Sequence, residues 1–234
     1  MVYHTPDQRR LCLLHADIPD VYARPYDPKH PMVCMKNQHA TGGRPWRPLP
    51  AHPGQWERFD YEYKRQGVAD PFLFFEPLQG QRHVRVTHRR TRRDHAESMR
   101  ELSDVWYPEA EKIVAVLDNL NTHSPASFYA AFEPEEARRL AQHFEFHFTP
   151  KHGSWLNTES ASACSMAEIE LSMSRQCLDR RIPAAATLVS EAKAWEDERN
   201  VHAVKVDWRF TTADARINLD HLYPRIQDRR TTTP

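Results

Sequence analysis

The feature that most constrains the fold is a run of aliphatic residues that ends on an acid, IVAVLD at 113–118. Ile113 to Leu117 form a continuous β-branched and aliphatic run, which is typical of a strand covered on both faces of a parallel sheet. Asp118 then lies at the carboxyl end of a central strand, where open α/β sheets gather ligands and chemistry. The simpler interpretation is that Asp118 caps the following turn.

The rest of the first half predicts short antiparallel strands. Apolar or alternating residues mark them at 31–36, 59–65, 71–77 and 82–88. Gly80 is expected in the turn of a hairpin between the last two. Residues 39–57 are rich in Gly and Pro, so they are predicted to be a loop.

From Thr91 the apolar spacing becomes helical. Helices are predicted at 91–108, 124–132, 133–143, 166–178, 185–200 and 212–223, with one more strand at 144–150. This order outlines a ribonuclease-H-like fold, an α/β architecture with a mixed five-stranded sheet flanked by helices. Such a sheet can collect acids from its first strand, its fourth strand and a later helix to hold two divalent ions, and Asp118 fits the second position.

Composition sets the class of protein. A chain of 234 residues is long enough for one well-buried domain with extensions. No apolar stretch reaches the length of a membrane span and the first residues lack a signal peptide's apolar core, so no membrane contact and a cytoplasmic location are expected. The four cysteines are scattered, which favours free thiols over a zinc cluster or disulfides.

Basic residues are concentrated in one segment, although the formal net charge of the chain is zero. The run from Arg82 to Arg93 is a candidate for contact with DNA phosphates. Its candidate contacts are Arg85, Arg89, Arg90, Arg92 and Arg93. The simpler interpretation is that these arginines form a solvated surface.

Several long segments carry a resemblance to a known family. They are VLDNLNTH (116–123), FTPKHGSWLN (148–157), MAEIELSMSRQCLDRRI (166–182), WEDERN (195–200) and DWRFTTADARINLDHLYP (207–224). These segments resemble the DDE-type transposases of mariner-related bacterial insertion sequences. The resemblance implies a ribonuclease-H-like catalytic domain that cuts and joins DNA ends with Mg²⁺ or Mn²⁺. The implied partners are DNA, as transposon ends and target, and a second copy of the chain in a homodimer.

The resemblance also implies which residues carry the chemistry. Asp118 matches the second catalytic acid and Glu168 the third, and both are expected to hold the metal. Asn119 and His123 lie in the same motif as Asp118, where they would orient it or contact the DNA end. Glu168 has a competing interpretation, because Ser165 begins an S-x-x-E capping box in which the glutamate would bind its own helix terminus.

Further residues are implied around these acids. Lys151, His152 and Asn157 match the loop that leads into the catalytic helix, and Lys151 is also expected to contact DNA. Arg209 is a candidate phosphate contact as well. The alternative for Arg209 is that it covers the helix on which it lies.

The sequence departs from the family at its first acid. Lys36 stands where the family has a catalytic carboxylate. A lysine ammonium there would occupy the cation's place, pair with Asp118 and lower metal affinity. The other interpretation is a compensated site in which Asp60 or Glu62 replaces the missing acid. A second departure is the insertion TESASACS (158–165), directly before the catalytic helix.

These departures lead to an expected organisation. Residues 1–30 would be an irregular remnant that lacks the family's helix-turn-helix region, 31–183 the catalytic domain, and 184–234 a helical extension packed on it. The prediction is a degenerate transposase catalytic domain with impaired metal-dependent cleavage. The alternative is a non-catalytic DNA-binding or interaction protein that keeps the fold.

Overall fold

The computed structural model describes residues 18–37, 40–44, 64–118, 120–149, 173, 176–178, 182 and 184–205. Its strands are β1 (Met32–Asn37), β2 (Ala40–Arg44), β3 (Lys64–Glu76), β4 (Gln81–Thr87), β5 (Ile113–Asp118) and β6 (Phe144–Thr149). Its helices are α1 (Arg92–Glu101), α2 (Ala126–Ala131), α3 (Pro134–His143) and α4 (Ala185–His202). A π-helical turn, Leu102–Trp106, extends α1.

The central sheet is mixed and has the order β4-β3-β1-β5-β6. β3 runs antiparallel to β1 and β4, whereas β5 runs parallel to both β1 and β6. The strands β1, β4, β5 and β6 therefore all point the same way, and their carboxyl ends meet at one edge of the sheet. This is the predicted ribonuclease-H-like arrangement of five strands, which is confirmed.

A sixth strand corrects the prediction that residues 39–57 form a loop. β2 pairs antiparallel with the first half of β3 and continues the register of β1. The register shifts between Gly42 and Gly43, which is the irregularity that glycine tolerates in a strand. Gly content predicts loops from local propensity, but here pairing with β3 satisfies the backbone groups of this segment.

β3 also differs from the prediction. It is one strand of 13 residues from Lys64 to Glu76, where the pattern indicated separate strands at 59–65 and 71–77. Its first half pairs with β2 and its second half with β1 and β4, so one long strand serves two ladders. The predicted strand residues 59–63 lie outside the described residues.

The helices begin and end near their predicted positions. Thr91 and Asp94 form a capping box at the start of α1, in which the Asp94 N–H donates to Thr91 Oγ1 (3.2 Å) and the Thr91 N–H to the Asp94 carboxylate (2.8 Å). Pro134 occupies the first turn of α3, where its missing N–H costs no hydrogen bond. The helix predicted at 212–223 and most of the one at 166–178 lie outside the described residues.

Apolar side chains cover the sheet on both faces. The α4 face is defined by a cluster that includes Cys34, Leu73, Val114, Val116, Met173, Cys177 and Trp195. The α1 face is defined by a second cluster that includes Met35, Phe72, Ala96, Met99, Ala115, Leu117 and Phe128. β5 supplies alternate residues to both, so the predicted burial of residues 113–117 on two faces is confirmed. Cys34 and Cys177 are buried as reduced thiols.

α4 lies along the free edge of β4. Glu196 Oε2 accepts a hydrogen bond from the Val84 N–H (2.9 Å). Asn200 pairs with both backbone groups of Arg82, since its Oδ1 accepts from the N–H (2.7 Å) and its Nδ2 donates to the carbonyl (2.8 Å). The helix therefore occupies the position of a neighbouring strand. The domain boundaries at 30/31 and 183/184 stay predictions.

Candidate active site

Asp118 ends β5 at the edge where the parallel strands finish. It is the one residue of β5 that is not buried, with 27% of its side chain exposed. Met35 of β1 and Leu117 of β5 are register partners, so the next positions, Lys36 and Asp118, are neighbours. Because side chains alternate along a strand, both share the α4 face with Cys34 and Val116. Neighbouring strands lie about 4.8 Å apart.

His123 holds the Asp118 carboxylate from the loop after β5. The His123 Nδ1 is in hydrogen-bond contact with Asp118 Oδ1, and the ring is fully buried. An ionised carboxylate only accepts hydrogen bonds, so Nδ1 carries the proton and donates. One of the carboxylate's acceptor positions is thereby filled. The orienting role that the resemblance implies for His123 agrees with this contact.

His95 lies directly against His123. The two rings stack with centroids 4.8 Å apart and planes inclined by 23°. His95 Nδ1 is 3.0 Å from Ser127 Oγ, and the Ser127 hydroxyl donates to the Ser124 carbonyl (2.6 Å). Burial lowers the pKa of His95 to about 3, so this imidazole is neutral at physiological pH.

The described side chains do not form a two-metal site. Within the part of the chain that the structure describes, no group of three or more His, Cys, Asp or Glu side chains is placed to hold a metal ion. Lys36 contributes an ammonium, which has three donors and no acceptor, at the position next to Asp118. A divalent ion needs oxygen ligands, so this donor set does not fit one.

Glu168 lies outside the described residues, and its placement relative to Asp118 is a prediction. The same holds for the other site residues that the structure does not describe: Asn119, Lys151, His152, Asn157, Arg209 and the insertion 158–165. The described residues that follow Glu168 in the chain, Met173 and Cys177, pack on the α4 face. Lys36 and Asp118 lie on this same face.

The structure divides the basic run into buried, paired and exposed arginines. Arg82 is 1% exposed, lies over the Phe75 ring at 4.3 Å and donates to the Gly80 carbonyl, so it contacts the protein interior. Arg85 forms ion pairs with Glu97 (3.3 Å) and Glu101 (2.9 Å). The exposed members are Arg89, Arg90, Arg92 and Arg93, which follow β4 at the same sheet edge as Asp118.

Sequence reasoning missed His95 and Ser127. His95 precedes Ala96 on the apolar face of α1, where a histidine reads as an ordinary buried side chain. Ser127 lies within the short helix α2 with no distinctive motif. The only signal was a titratable residue at an otherwise apolar helix position.

Comparison with protein families and solved structures gave consistent results. The sequence matches the DDE superfamily endonuclease model over residues 31–161, more than half of the chain. The Mos1 transposase paired-end complex with left transposon end has a TM-score of 0.55 and 12% identity, covering 87% of this chain and 60% of that one. The Mos1 mariner paired-end complex with Mn has a TM-score of 0.53 and 14% identity, covering 87% and 60%.

These structural likenesses establish the fold. The chain spans about 60% of the length of the solved structures it matches. No curated protein matches the sequence. Among the described residues, no helix is both long and apolar enough to cross a membrane.

Proposed function

Because this chain belongs to the DDE superfamily of endonucleases, we propose that it is a transposase catalytic domain whose cation site is impaired by Lys36. The ancestral reaction is hydrolysis of a phosphodiester at an insertion-sequence end, followed by attack of the freed 3′-hydroxyl on target DNA. In such sites divalent ions activate the attacking oxygen and stabilise the leaving oxygen. The observation that carries the proposal is the neighbouring position of Lys36 and Asp118 on one face.

The electrostatic consequence of Lys36 is large. Lys36 brings a positive charge to the strand end beside Asp118, and groups at strand spacing lie about 5 Å apart, where an effective dielectric constant of about 20 applies. A divalent ion at the same distance from the ammonium would be repelled by about 7 kcal/mol. This repulsion opposes the attraction of Asp118, and position 36 supplies no oxygen ligand, so Mg²⁺ or Mn²⁺ is expected to bind more weakly here than at a site with an aspartate in place of Lys36.

Binding of Mn²⁺, measured by calorimetry, tests this proposal. Lys36→Asp supplies the missing carboxylate and should give Asp118-dependent Mn²⁺ binding that the parent chain lacks. Lys36→Met is the matched control, because it removes the ammonium without adding a ligand and should improve binding much less. Mn²⁺ binding by the parent as tight as that of Lys36→Asp, and lost in Asp118→Asn, would show that the site is intact.

DNA cleavage tests the same site by its chemistry. The parent chain should not cut an exposed transposon end, whether Mg²⁺ or Mn²⁺ is supplied. Lys36→Asp combined with deletion of 158–165 is the variant expected to regain cutting, because residues that act as one catalytic unit are not additive. Robust cutting by the parent that Asp118→Ala abolishes would overturn the proposed impairment.

A second candidate function is DNA binding without cleavage, favoured by the exposed arginines after β4. β4 ends three strand spacings from β5, about 14 Å along the sheet edge, and Arg89, Arg90, Arg92 and Arg93 follow β4 in the chain. Exposed arginines with this spacing can contact phosphates without reading sequence. Arg85 is a weaker candidate because two glutamates already neutralise it.

Affinity for duplex DNA across a salt series tests the second function. Replacing Arg89 and Arg90 together by Ala should weaken binding and reduce the slope of log K against log salt by about 2. Arg138→Ala, which removes one exposed arginine on α3, is the control and should leave the slope unchanged. Equal slopes for all three proteins would exclude this arginine segment as the DNA contact. The cytoplasmic location and the homodimer stay predictions.

A further inference from the structure

Three buried polar side chains form a continuous column behind Asp118. Ser127 of α2 contacts His95 of α1, His95 stacks on His123, and His123 contacts Asp118. Ser127, His95 and His123 are fully buried. They connect two helices on the α1 face with the Asp118 carboxylate at the sheet edge. Buried polar groups are normally hydrogen-bonded, and a satisfied buried network fixes the orientation of its members.

The hydrogen bonds fix the protons along this column. The Ser127 hydroxyl has one hydrogen, which it donates to the Ser124 carbonyl, so Ser127 Oγ must accept from His95 Nδ1–H. His123 likewise carries its proton on Nδ1, because its partner is a carboxylate. Among the described residues, neither Nε2 has a hydrogen-bond partner. Both rings therefore carry a proton on Nδ1, and burial keeps the His95 ring neutral.

We propose that His95 is a positioning residue for the Asp118 carboxylate and acts through His123. A half-turn of the His123 ring about its Cβ–Cγ bond would replace the donor Nδ1–H by a C–H and release Asp118. The stacked His95 ring opposes this rotation on one side, and Phe72 lies 6.4 Å away with its ring tilted by 56°. The hydrogen bond to Ser127 in turn fixes the plane of His95.

The proposal deepens the proposed function and rests on it, since orienting Asp118 matters only if that carboxylate binds the cation or the DNA end. A packing role alone makes a different prediction: any side chain of similar volume at position 95 would then serve. The positioning role requires a planar hydrogen-bond donor at position 95, whereas the packing role does not. Which nitrogen of the His123 ring carries the proton distinguishes the two roles, and it can be measured without metal or DNA.

Long-range ¹H–¹⁵N correlation spectra of the full chain with ¹⁵N-labelled histidine measure the tautomer. The His123 signal is assigned by its loss in His123→Gln. In the parent, His123 Nδ1 should carry a proton, and the two ring nitrogens should give separate signals. His95→Leu and Ser127→Ala should each average the two nitrogen signals, because a ring that rotates loses Asp118 as the acceptor of its Nδ1–H and the proton then exchanges between Nδ1 and Nε2.

His95→Asn is the conservative variant. Its planar amide can stack on His123, and its Nδ2 can donate to Ser127 from nearly the position of the imidazole Nδ1, so the parental spectrum should be retained. The matched control is His143→Leu, which removes a second histidine bound to a serine, 2.8 Å from Ser103, at the opposite end of the sheet. This control should leave the His123 signals unchanged.

The outcomes decide the proposal. Averaged signals in Ser127→Ala and His95→Leu, with the parental pattern kept in His95→Asn, support it. Ser127→Ala deletes only a hydroxyl, so it gives the test if His95→Leu does not fold. Parental signals in every folded variant, or averaging in His95→Asn as in Ser127→Ala, overturn the positioning role. Added Mn²⁺ that fails to broaden His123 in the Lys36→Asp background would count against the proposed cation site and leave the positioning result standing.

Discussion

The side chains of α4 that pair with the β4 edge are expected to hold this edge in place, and Asn200 is the most informative position. Asn200→Ala removes two hydrogen bonds to Arg82, each of which contributes about 1 kcal/mol net. Arg82 is 1% exposed, so its N–H and carbonyl lose their partners with little access to water, which costs about 1 kcal/mol more. The expected loss of stability is therefore about 3 kcal/mol.

Urea unfolding measures this loss. With a slope of about 2 kcal/mol per molar urea, the midpoint of Asn200→Ala should fall by about 1.5 M. Asn200→Asp keeps the acceptor for the Arg82 N–H but places an oxygen against the Arg82 carbonyl, so it should not restore the parental midpoint at neutral pH. Val201→Ala is the control on the same helix, since Val201 is 83% exposed, and its effect should stay within about 0.5 kcal/mol.

The result that would refute the reasoning is a midpoint for Asn200→Ala no lower than that of Val201→Ala at an unchanged slope. The edge pairing would then contribute nothing to stability. If the midpoint falls and the variant also associates in a concentration-dependent way, the uncovered β4 edge explains the association. An unpaired strand edge is a template for pairing with a second chain. Since β4 leads directly into Arg89, loosening it should also weaken DNA binding.

Two further changes have expected outcomes. Burial raises the pKa of Glu76 above its ordinary value of 4.5, although Tyr107 donates a hydrogen bond to it (2.9 Å). A carboxyl whose pKa is higher in the folded than in the unfolded state makes the fold less stable as the pH rises above the unfolded pKa. Glu76→Gln should therefore have a melting temperature above that of the parent by an amount that grows above pH 4.5, and a difference independent of pH would contradict this. Gly80→Ala should lower the free energy of unfolding in urea by more than about 1 kcal/mol. Gly80 has φ +72°, and a β-carbon at this position would lie 2.4 Å from the Ala203 carbonyl carbon. Parental stability would show that the turn can shift.

The central strand and the helices could be predicted because their signals are local. Ile113 to Leu117 are apolar at consecutive positions, and only a strand covered on both faces buries all of them. Helical apolar spacing from Thr91 marked the start of α1, and the structure adds a local capping box of Thr91 and Asp94 there. The position of Asp118 at the sheet edge follows from where that apolar run ends.

What could not be predicted depends on partners distant in sequence. β2 is a strand because β3 pairs with it, which overrides the loop propensity of its glycines. Arg82 belongs to a basic run, yet its side chain is buried over Phe75, and the charge pattern alone does not distinguish it from exposed Arg89. His95 reaches His123 only because α1 crosses beneath the loop after β5, a contact between residues 28 positions apart.

The proposed site residues differ in burial, and this difference determines how much a substitution at each position disturbs the fold. His123, His95 and Ser127 are fully buried, so replacing any of them leaves a cavity or an unpaired polar group and reduces the stability of the fold. Lys36 is only partly buried at the end of β1, where a new side chain disturbs little packing. An aspartate there would place two carboxylates on neighbouring strand ends, which repel without a cation, whereas the lysine replaces that repulsion by attraction. Under the proposed function, Lys36 therefore lowers cation affinity with little disturbance of packing, whereas loss of any member of the buried column would also reduce the stability of the fold.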